Sequence, residues 1–435
     1  MLDFTEQAQA HRQIAEPTPA AAVSMSPKPP NVPGILQHIK FNLYLPSVIL
    51  HMSPGYDYNR FTPDPDEAFS ELAQDFDKVV NEFRGIRKQP ERSQEFFEQY
   101  KRYLRDALVR MVHTSNALEN AGVGFDVTNS LVDDMLSGME MSAEIGEDDA
   151  RYKAIVDHLS QKRADTSYHA VQQAFRQVIQ HVYAVFYIIE QMIVQDKLLS
   201  EALLQQTHRI LTDGINAENS ESDPSTAYGG TYRTDDVGWT PFSSFAAPSS
   251  IPYRVASTIT ELNTTIQRSE STMAIDPYQL ASKTSHKLLT IHPFLDGNSR
   301  VSRIVLNTVL LKYTCTMIPF GRDPIEAAKW KETVARAAEM EVEIEDMGGE
   351  YYKDFGHGDK GPWKEVATLV LIQGRREMGN LREILLTEAK QGKKRTSGAD
   401  MYPWEGETDD PFVREMEKRM GRGALLPPKD DEDLS

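Results

Sequence analysis

Cysteine, positive charge and long apolar runs are all scarce in this sequence of 435 residues. The only cysteine is Cys315, which excludes an intramolecular disulfide, a CxxC zinc site and an iron–sulfur cluster. Lys and Arg number 47 against 65 Asp and Glu, so the formal net charge is −18. Because nucleic-acid phosphates are bound by clustered Lys and Arg, this balance argues against a nucleic-acid-binding protein.

Membrane segments and export signals are also missing from the sequence. No stretch reaches the roughly 18 uninterrupted apolar residues that a membrane span requires. The first residues, MLDFTEQAQAHR, lack the basic start and apolar stretch of a secretory signal. We therefore expect a protein of the cytoplasm, or of the nucleus, that does not associate with membranes.

Composition divides the chain into two tails and a helical middle. Residues 1–33 are rich in Pro, Ala, Ser and Gln, which predicts a disordered tail, and 392–435 predicts a charged tail without periodic structure. Between them we predict an N-terminal helical region at 34–195 and a second helical region at 196–391. Their apolar periodicity indicates an all-α fold.

The helical pattern allows individual elements to be placed. It predicts helices from Asp64 onward, over 91–119, within 165–213, from about Tyr253, from Pro277, and over 299–314, 324–344 and 362–391. Residues 34–52 predict a packed strand or a short helix. Residues 214–252 are rich in Gly, Ser, Thr and Pro and predict a long loop carrying one hairpin.

One short loop carries most of the chemistry. In HPFLDGNSRVSR, residues 292–303, a helix ends, a Gly-Asn turn follows, and a new helix begins with Arg300 and Arg303 on one face. Such a turn aims backbone N–H groups at one anion, and the helix adds its positive dipole end. Asp296 is a hard oxygen ligand suited to Mg²⁺, and His292 is a base with an unperturbed pKa near 6.5. These groups suit phosphoryl-type transfer.

The same segment resembles the signature H-x-F-x-[D/E]-G-N-G-R-x-x-R of the Fic family. The matching residues are His292, Phe294, Asp296, Gly297, Asn298, Arg300 and Arg303. The resemblance implies a Fic-type helical bundle with a small β-hairpin flap over 196–391. It also implies transfer of AMP from ATP to a Ser, Thr or Tyr hydroxyl of a target protein, with release of pyrophosphate.

The resemblance further implies a role for each matching position. His292 takes the proton of the attacking hydroxyl, Phe294 packs inward, and Asp296 positions Mg²⁺ or Mn²⁺. The phosphate-binding residues are Gly297, Asn298, Ser299, Arg300 and Arg303.

Ser299 departs from the family pattern, which has glycine there. If that backbone needs a positive φ or a very close phosphate approach, the side chain weakens ATP binding. If the geometry is that of an ordinary helix start, the hydroxyl can act as an N-cap or as an additional phosphate donor.

A loop upstream resembles the flap of the family. Gly230, Tyr232, Arg233 and Val237 match a G-x-[FY]-R piece followed by a short hairpin, and Thr231 lies within it. An exposed strand edge here would align a target segment by main-chain pairing, although a hairpin without a docking role fits the same pattern.

Residues 115–120, SNALEN, resemble the inhibitory motif [S/T]-x-x-x-E-[G/N] of the family, on a helix at about 103–121. The resemblance implies that Glu119, with Ser115, occupies Arg303 and keeps ATP out or in an unproductive pose. The same glutamate could instead orient a water for removal of AMP from a modified target.

Three functions therefore remain open: autoinhibited AMP transfer, mainly AMP removal, and a weakly catalytic nucleotide sensor or scaffold. ATP and protein substrates are the expected partners, and a homodimer is a further possibility.

Six further residues with predicted roles lie outside these motifs. Lys312, Tyr313 and Trp330 are candidates to border the adenine. His181, His208 and His286 lack metal-ligand spacing and are expected to be structural.

Overall fold

The computed structural model describes Val32, Ile35 and residues 49–86, 88–216, 228–240, 243–346 and 361–391. The predicted tail at 1–33, apart from Val32, and the predicted tail at 392–435 lie outside the described residues. Within the described part, eleven α-helices and four very short strands form an all-α architecture, as the sequence predicts.

The helices follow one another along the chain with few long connections. In chain order they are α1 (Pro65–Ile86), α2 (Pro90–Ala117), α3 (Phe125–Leu136), α4 (Ala150–Gln161), α5 (Tyr168–Ile189), α6 (Glu201–Leu211), α7 (Ile251–Thr272), α8 (Pro277–Ile291), α9 (Asn298–Thr314), α10 (Pro324–Asp346) and α11 (Lys364–Gln391). A π-helical turn, Glu190–Val194, extends α5.

The centre of the fold is the pair α8 and α9, which pack against each other on either side of the loop 292–297. Helix α9 is buried around nearly its whole circumference, and most of its residues after Arg303 are accordingly apolar. Helices α2 and α5 lie against α9, and α11 packs on α1, α2 and α8. The loop between α8 and α9 is therefore held by elements from both halves of the chain.

Local sequence signals fix where the helices around this loop begin. Asp276 caps α8 by accepting from the N–H of Gln279, and Pro277 follows as its first residue. Ser200 caps α6 in the same way through the N–H of Leu203. These caps set the start of both helices, so their later residues reach the loop in a defined register.

Two helices were not predicted from the sequence. Both helices are short, with 12 residues each, and α4 buries only Ile155 and Leu159. With so few apolar positions, α4 has no clear helical periodicity, and it is stabilised by packing on α3 and α5 and by the Asp149 cap.

The strands form two separate pairs. Strand β2 (Gly238–Thr240) pairs antiparallel with β3 (Ser243–Ser244), which is the predicted hairpin in a very short form. Strand β1 (Ile49–Leu50) pairs in parallel with β4 (Ala274–Ile275), a contact that the sequence does not predict. In the part of the chain that the structure describes, no helix combines the length and the apolar character needed to cross a bilayer.

Candidate functional site

The loop between α8 and α9 is bounded by two residues with left-handed backbone conformations. His292 ends α8 with φ 49° and ψ 61°, a left-handed conformation that non-glycine residues adopt uncommonly. Gly297 precedes α9 with φ 76°. The side chain of Asn298 bonds both the N–H and the carbonyl of Phe294, each at 2.9 Å, and so ties the two ends of the loop together.

Phe294 forms the inner support of the loop. It is 1% exposed, as its implied inward packing requires. Its ring stacks on the imidazole of His208 from α6, with centroids 3.7 Å apart and planes 8° apart. The ring of Tyr232 from the flap also packs against it, with centroids 5.5 Å apart. The loop therefore rests on two aromatic contacts that come from distant parts of the sequence.

His208 also bonds the loop and the flap directly. Its Nε2 meets the carbonyl oxygen of Asp296 at 2.7 Å, and its Nδ1 accepts from the N–H of Gly230 at 2.8 Å. From the sequence this histidine was expected to be a core or surface residue with its hydrogen bonds satisfied, and no role at the loop was predicted for it. No local pattern could have marked it, because both of its hydrogen-bond partners are backbone groups, one of them 88 residues away.

Arg233 of the flap binds backbone carbonyl groups at the C-terminal end of α8. Its backbone N–H donates to the carbonyl of Pro293, and its Nε donates to the carbonyl of His292 at 2.7 Å. Further donations reach the carbonyls of Asp235 and Ala246. The guanidinium is buried, and burial lowers its pKa from the ordinary value. Arg233 thus fixes the backbone of the candidate base, a role that the flap resemblance did not suggest.

His292, the candidate base, lies in an environment that keeps its ring neutral. Its ring stacks on Phe245, with centroids 4.0 Å apart and planes 15° apart. Burial, and next the positive charge of Arg233, lower its pKa to about 4. At neutral pH the imidazole is therefore uncharged and able to accept a proton.

Asp296 and Arg300 contact each other at the start of α9. One carboxylate oxygen of Asp296 accepts from the N–H of Gly297, and the other lies 3.4 Å from Nη2 of Arg300. Arg300 is 3% exposed, and its Nε and Nη1 have no hydrogen-bond partner among the described residues. Buried guanidinium donors without partners are costly, so an anion bound here would satisfy them.

The donor set at Asp296 suits a magnesium ion only in part. No group of three or more His, Cys, Asp or Glu side chains able to hold a metal occurs in the described ranges. A single carboxylate supplemented by phosphate oxygens is, however, a common way in which proteins bind Mg²⁺. The residues therefore fit a divalent cation that arrives together with a nucleotide.

Arg303 is held by the C-terminal end of α2. Its Nη2 donates to Oε1 of Glu119 at 2.7 Å and to the carbonyl of Ser115 at 2.8 Å, while its Nε donates to the Ser115 hydroxyl at 2.8 Å. Arg303 is 3% and Glu119 31% exposed at the side chain. Burial opposes ionisation of Glu119, but the charge and hydrogen bonds of Arg303 outweigh it and lower the pKa of the carboxyl. This pair is charged at neutral pH.

Ser299 has ordinary helical geometry. It is the second residue of α9 and is absent from the residues with positive φ. The N-cap of α9 is Gly297, so the serine is not the cap that one alternative proposed. Its partly exposed hydroxyl remains available as a phosphate donor.

The candidates for the adenine site are dispersed. Lys312 and Tyr313 lie at the end of α9 opposite the loop, where they contact Asp196 and Glu270. Trp330 is buried and stacks on Phe320. None of these contacts joins them to the loop.

The remaining predicted flap residues lie on either side of Arg233. Thr231 is exposed, and Val237 is partly buried, its carbonyl accepting from the N–H of Phe245. The side chains of β2 and β3 are not among those that the structure describes.

Residues 198–310 match the Fic/DOC family. The chain is similar to this family over that range. Over 114 residues it is 33% identical to Protein adenylyltransferase fic-1 of Caenorhabditis briggsae, covering 25% of this chain and 21% of that protein. Over 53 residues it is 42% identical to Protein adenylyltransferase Fic of Drosophila grimshawi, covering 12% of this chain and 11% of that protein. The matched part thus spans about a fifth or less of these relatives' own length.

Two solved structures are also similar to this chain. One is a Fic domain containing signaling protein from Bacteroides thetaiotaomicron, with a TM-score of 0.45, 17% identity, and coverage of 76% of this chain and 99% of that one. The other is Fic-1 from C. elegans, with a TM-score of 0.43, 16% identity, and coverage of 82% and 84%.

Proposed function

We propose that this chain transfers AMP from ATP to a hydroxyl group of a protein target, and that Glu119 restrains the reaction. The observation that carries the proposal is the loop itself. A neutral imidazole, a buried guanidinium with unpartnered donors and a helix N-terminus lie within one segment of twelve residues, His292 to Arg303. These are the groups that an anionic phosphate transfer needs.

The proposed reaction uses each of these groups once. The target oxygen forms a bond to the α-phosphorus, the bond between the α-phosphorus and the bridging oxygen breaks, and pyrophosphate leaves. The proton of the target hydroxyl passes to the ring of His292. Arg300 and the N–H groups at the start of α9 stabilise the negative charge of the phosphates.

Asp296 is the residue that would hold Mg²⁺ or Mn²⁺ with the nucleotide. A bound divalent cation supplies charge neutralisation for the phosphate oxygens. The carboxylate of Asp296 contacts the N–H of Gly297 and the side chain of Arg300. If Asp296 held a cation instead, both groups would be free to bind phosphate.

Restraint by Glu119 follows from its contact with Arg303. Three hydrogen bonds hold the guanidinium toward α2, and its charge is neutralised by the glutamate. A terminal phosphate of ATP would have to compete with this partly buried carboxylate for Arg303. Removing the carboxylate is therefore expected to admit ATP in a productive pose.

The test compares wild type, Glu119→Gly and Glu119→Gly/His292→Ala with α-labelled ATP and Mg²⁺. We expect label on the protein in the single variant, at least about tenfold above wild type, and none in the double variant. Glu144→Gly is the matched control, because Glu144 also lies outside a helix and also pairs with an arginine. Its partner is Arg176 and not Arg303. If Glu119→Gly binds Mg·ATP but carries no label, the transferase proposal is wrong and a nucleotide sensor is favoured.

Removal of AMP is the second candidate, and one observation favours it. Glu119 remains 31% exposed beside the loop, so its free oxygen could orient a water. Labelled Glu119→Gly protein, freed of nucleotide, is incubated with wild type. Release of AMP by wild type and not by a second portion of Glu119→Gly would assign Glu119 this hydrolytic role.

A further inference from the structure

The hydrogen bonds of His208 define which of its two ring nitrogens carries the proton. It lies on α6 and is fully buried. The N–H of Gly230 can only donate, so Nδ1 must be the acceptor. The carbonyl of Asp296 can only accept, so Nε2 must carry the proton. One neutral tautomer satisfies both contacts, and the ring is fixed in orientation by its stacking on Phe294.

The contact with Asp296 sets the direction of the next N–H. The peptide between Asp296 and Gly297 is planar and trans, so its carbonyl oxygen and its amide hydrogen lie on opposite edges. Because His208 holds the oxygen, the N–H of Gly297 points to the other side, where it meets the carboxylate of Asp296. That carboxylate also contacts Arg300, so this N–H faces the same group as the proposed phosphate-binding arginine.

The close approach of this loop to α6 favours glycine at position 297. A Cβ there would lie 3.3 Å from Nε2 of His208, and the φ of 76° already disfavours a side chain. Gly230 is under a similar constraint, since a Cβ would lie 2.7 Å from the carbonyl oxygen of Gln205 on α6. Both loops therefore sit directly on α6, and one imidazole ring bonds both.

We propose that His208 is a positioning residue: through Nε2 it aims the N–H of Gly297 at the nucleotide phosphate, and through Nδ1 it holds the flap in register with that site. This inference rests on the proposed function. It differs from a packing role because the two ring nitrogens serve different parts of the reaction. Loss of the Nε2 contact with Asp296 should therefore impair nucleotide binding. Loss of the Nδ1 contact with Gly230 should instead impair transfer to the target.

Two substitutions separate the contacts. In His208→Gln the side-chain amide nitrogen takes the place of Nε2 and still donates to Asp296, whereas the flap loses its acceptor. In His208→Asn the amide oxygen takes the place of Nδ1 and still accepts from Gly230, whereas the contact with Asp296 is lost. Both are made in the Glu119→Gly background, and His286→Asn is the control, since His286 is a buried histidine bonded to Glu341 on α10.

Mg·ATP affinity and the rate of self-labelling at saturating ATP are measured for each variant. We expect His208→Asn to weaken Mg·ATP binding by about tenfold or more, and His208→Gln to keep it within about threefold while labelling at least about fivefold more slowly. His286→Asn should lower the thermal unfolding midpoint without changing either quantity. Equal losses of affinity in both His208 variants, or unchanged values in both, would overturn the proposal.

Two further outcomes are also decisive. If His208→Asn does not fold, His208→Gln decides alone: a tenfold loss of ATP affinity or an unchanged labelling rate contradicts the positioning role. If the Glu119→Gly parent binds Mg·ATP but never labels, the proposed function fails, while the affinity difference between the two His208 variants still tests the Asp296 contact.

Discussion

The two arginines that follow the turn are each held by a carboxylate of the same chain. Arg300 contacts Asp296, and Arg303 contacts Glu119. The two pairs differ in what an incoming ligand must do. In the proposed reaction a metal–nucleotide complex would recruit Asp296 as a cation ligand, whereas Glu119 would have no place in the complex and would have to be displaced. This difference explains why Glu119 is the residue whose removal is expected to activate.

Ser299 offers a test of how the departure from the family pattern is tolerated. In Ser299→Gly we expect Mg·ATP affinity within about threefold of the parent, because the serine is helical and not strained. Replacing serine by glycine in the first turn should lower the free energy of unfolding by only about 0.5 kcal/mol. Both are measured in the Glu119→Gly background, by calorimetric titration and urea unfolding. A tenfold gain in affinity would instead mean that the serine obstructs the phosphate.

Individual residues of the site were predictable to the extent that they act through side-chain chemistry in one segment. Asp296 contacts Arg300, and Glu119, which pairs with Arg303, also acts electrostatically on the ring of His292. His208 and the carbonyl-binding role of Arg233 were not predictable, because they bind backbone carbonyls and N–H groups that any residue possesses. Only the fold brings those groups to them.

The element that presents Glu119 is the last turn of α2 and the loop behind it. Gln177 on α5 accepts from the N–H of Gly122 at 2.7 Å, and Asn116 on α2 meets Nδ1 of His181 at 3.0 Å. Both contacts are buried. They fasten the end of α2 to α5, and so they hold Glu119 at a fixed distance from Arg303.

Loosening this attachment should partly relieve the restraint. Gln177→Ala leaves the N–H of Gly122 without its partner, at a cost of about 1–3 kcal/mol, and Glu119 is then held less firmly. We expect self-labelling between that of wild type and Glu119→Gly.

The same helix supplies a matched control for this prediction. Gln172→Ala removes an equally buried amide that bonds both the N–H and the carbonyl of Ile145, away from Glu119. Labelling should stay at the wild-type level there. Similar labelling in the two glutamine variants would mean that the attachment of α2 does not control Glu119.

Elements with dense apolar periodicity were predictable from the sequence, and the others were not. The stripe of α2 and the apolar run of α9 place both helices within two residues of their observed bounds. Helix α4 has two buried apolar residues, and β1 pairs with a strand more than 200 positions away. Such elements depend on tertiary contacts that leave no local pattern.

At the scale of the whole molecule, the proposed function requires an acidic chain to bind an acidic ligand. The net charge of −18 would repel ATP at long range, so the attraction would have to come from buried groups in one place. Arg300 and Arg303 are both 3% exposed and adjoin the N-terminus of α9. Their burial reduces screening by salt and by the surrounding carboxylates, and it makes any carboxylate among them, such as Glu119, an effective competitor.

A second property of the whole molecule is the number of histidines buried in neutral form. Burial is the largest cause of a lowered pKa at His113, His158, His181, His208 and His292. For His113, His158 and His292 the pKa falls from 6.5 to about 4. As the pH drops below 6.5 the unfolded chain therefore binds protons that the folded chain does not.

Stability should consequently fall on acidification, from about pH 6.5 down to about pH 4. Each such histidine adds up to about 1.4 kcal/mol per pH unit to the slope of the free energy of unfolding. Urea unfolding between pH 7.5 and 5.5 measures this slope where carboxylates contribute least. In His113→Gln/His158→Gln, which alters two histidines away from the loop, the slope should be shallower. A free energy of unfolding that is constant over this range, or a slope unaffected by the double substitution, would mean that these histidines are not neutral in the folded protein.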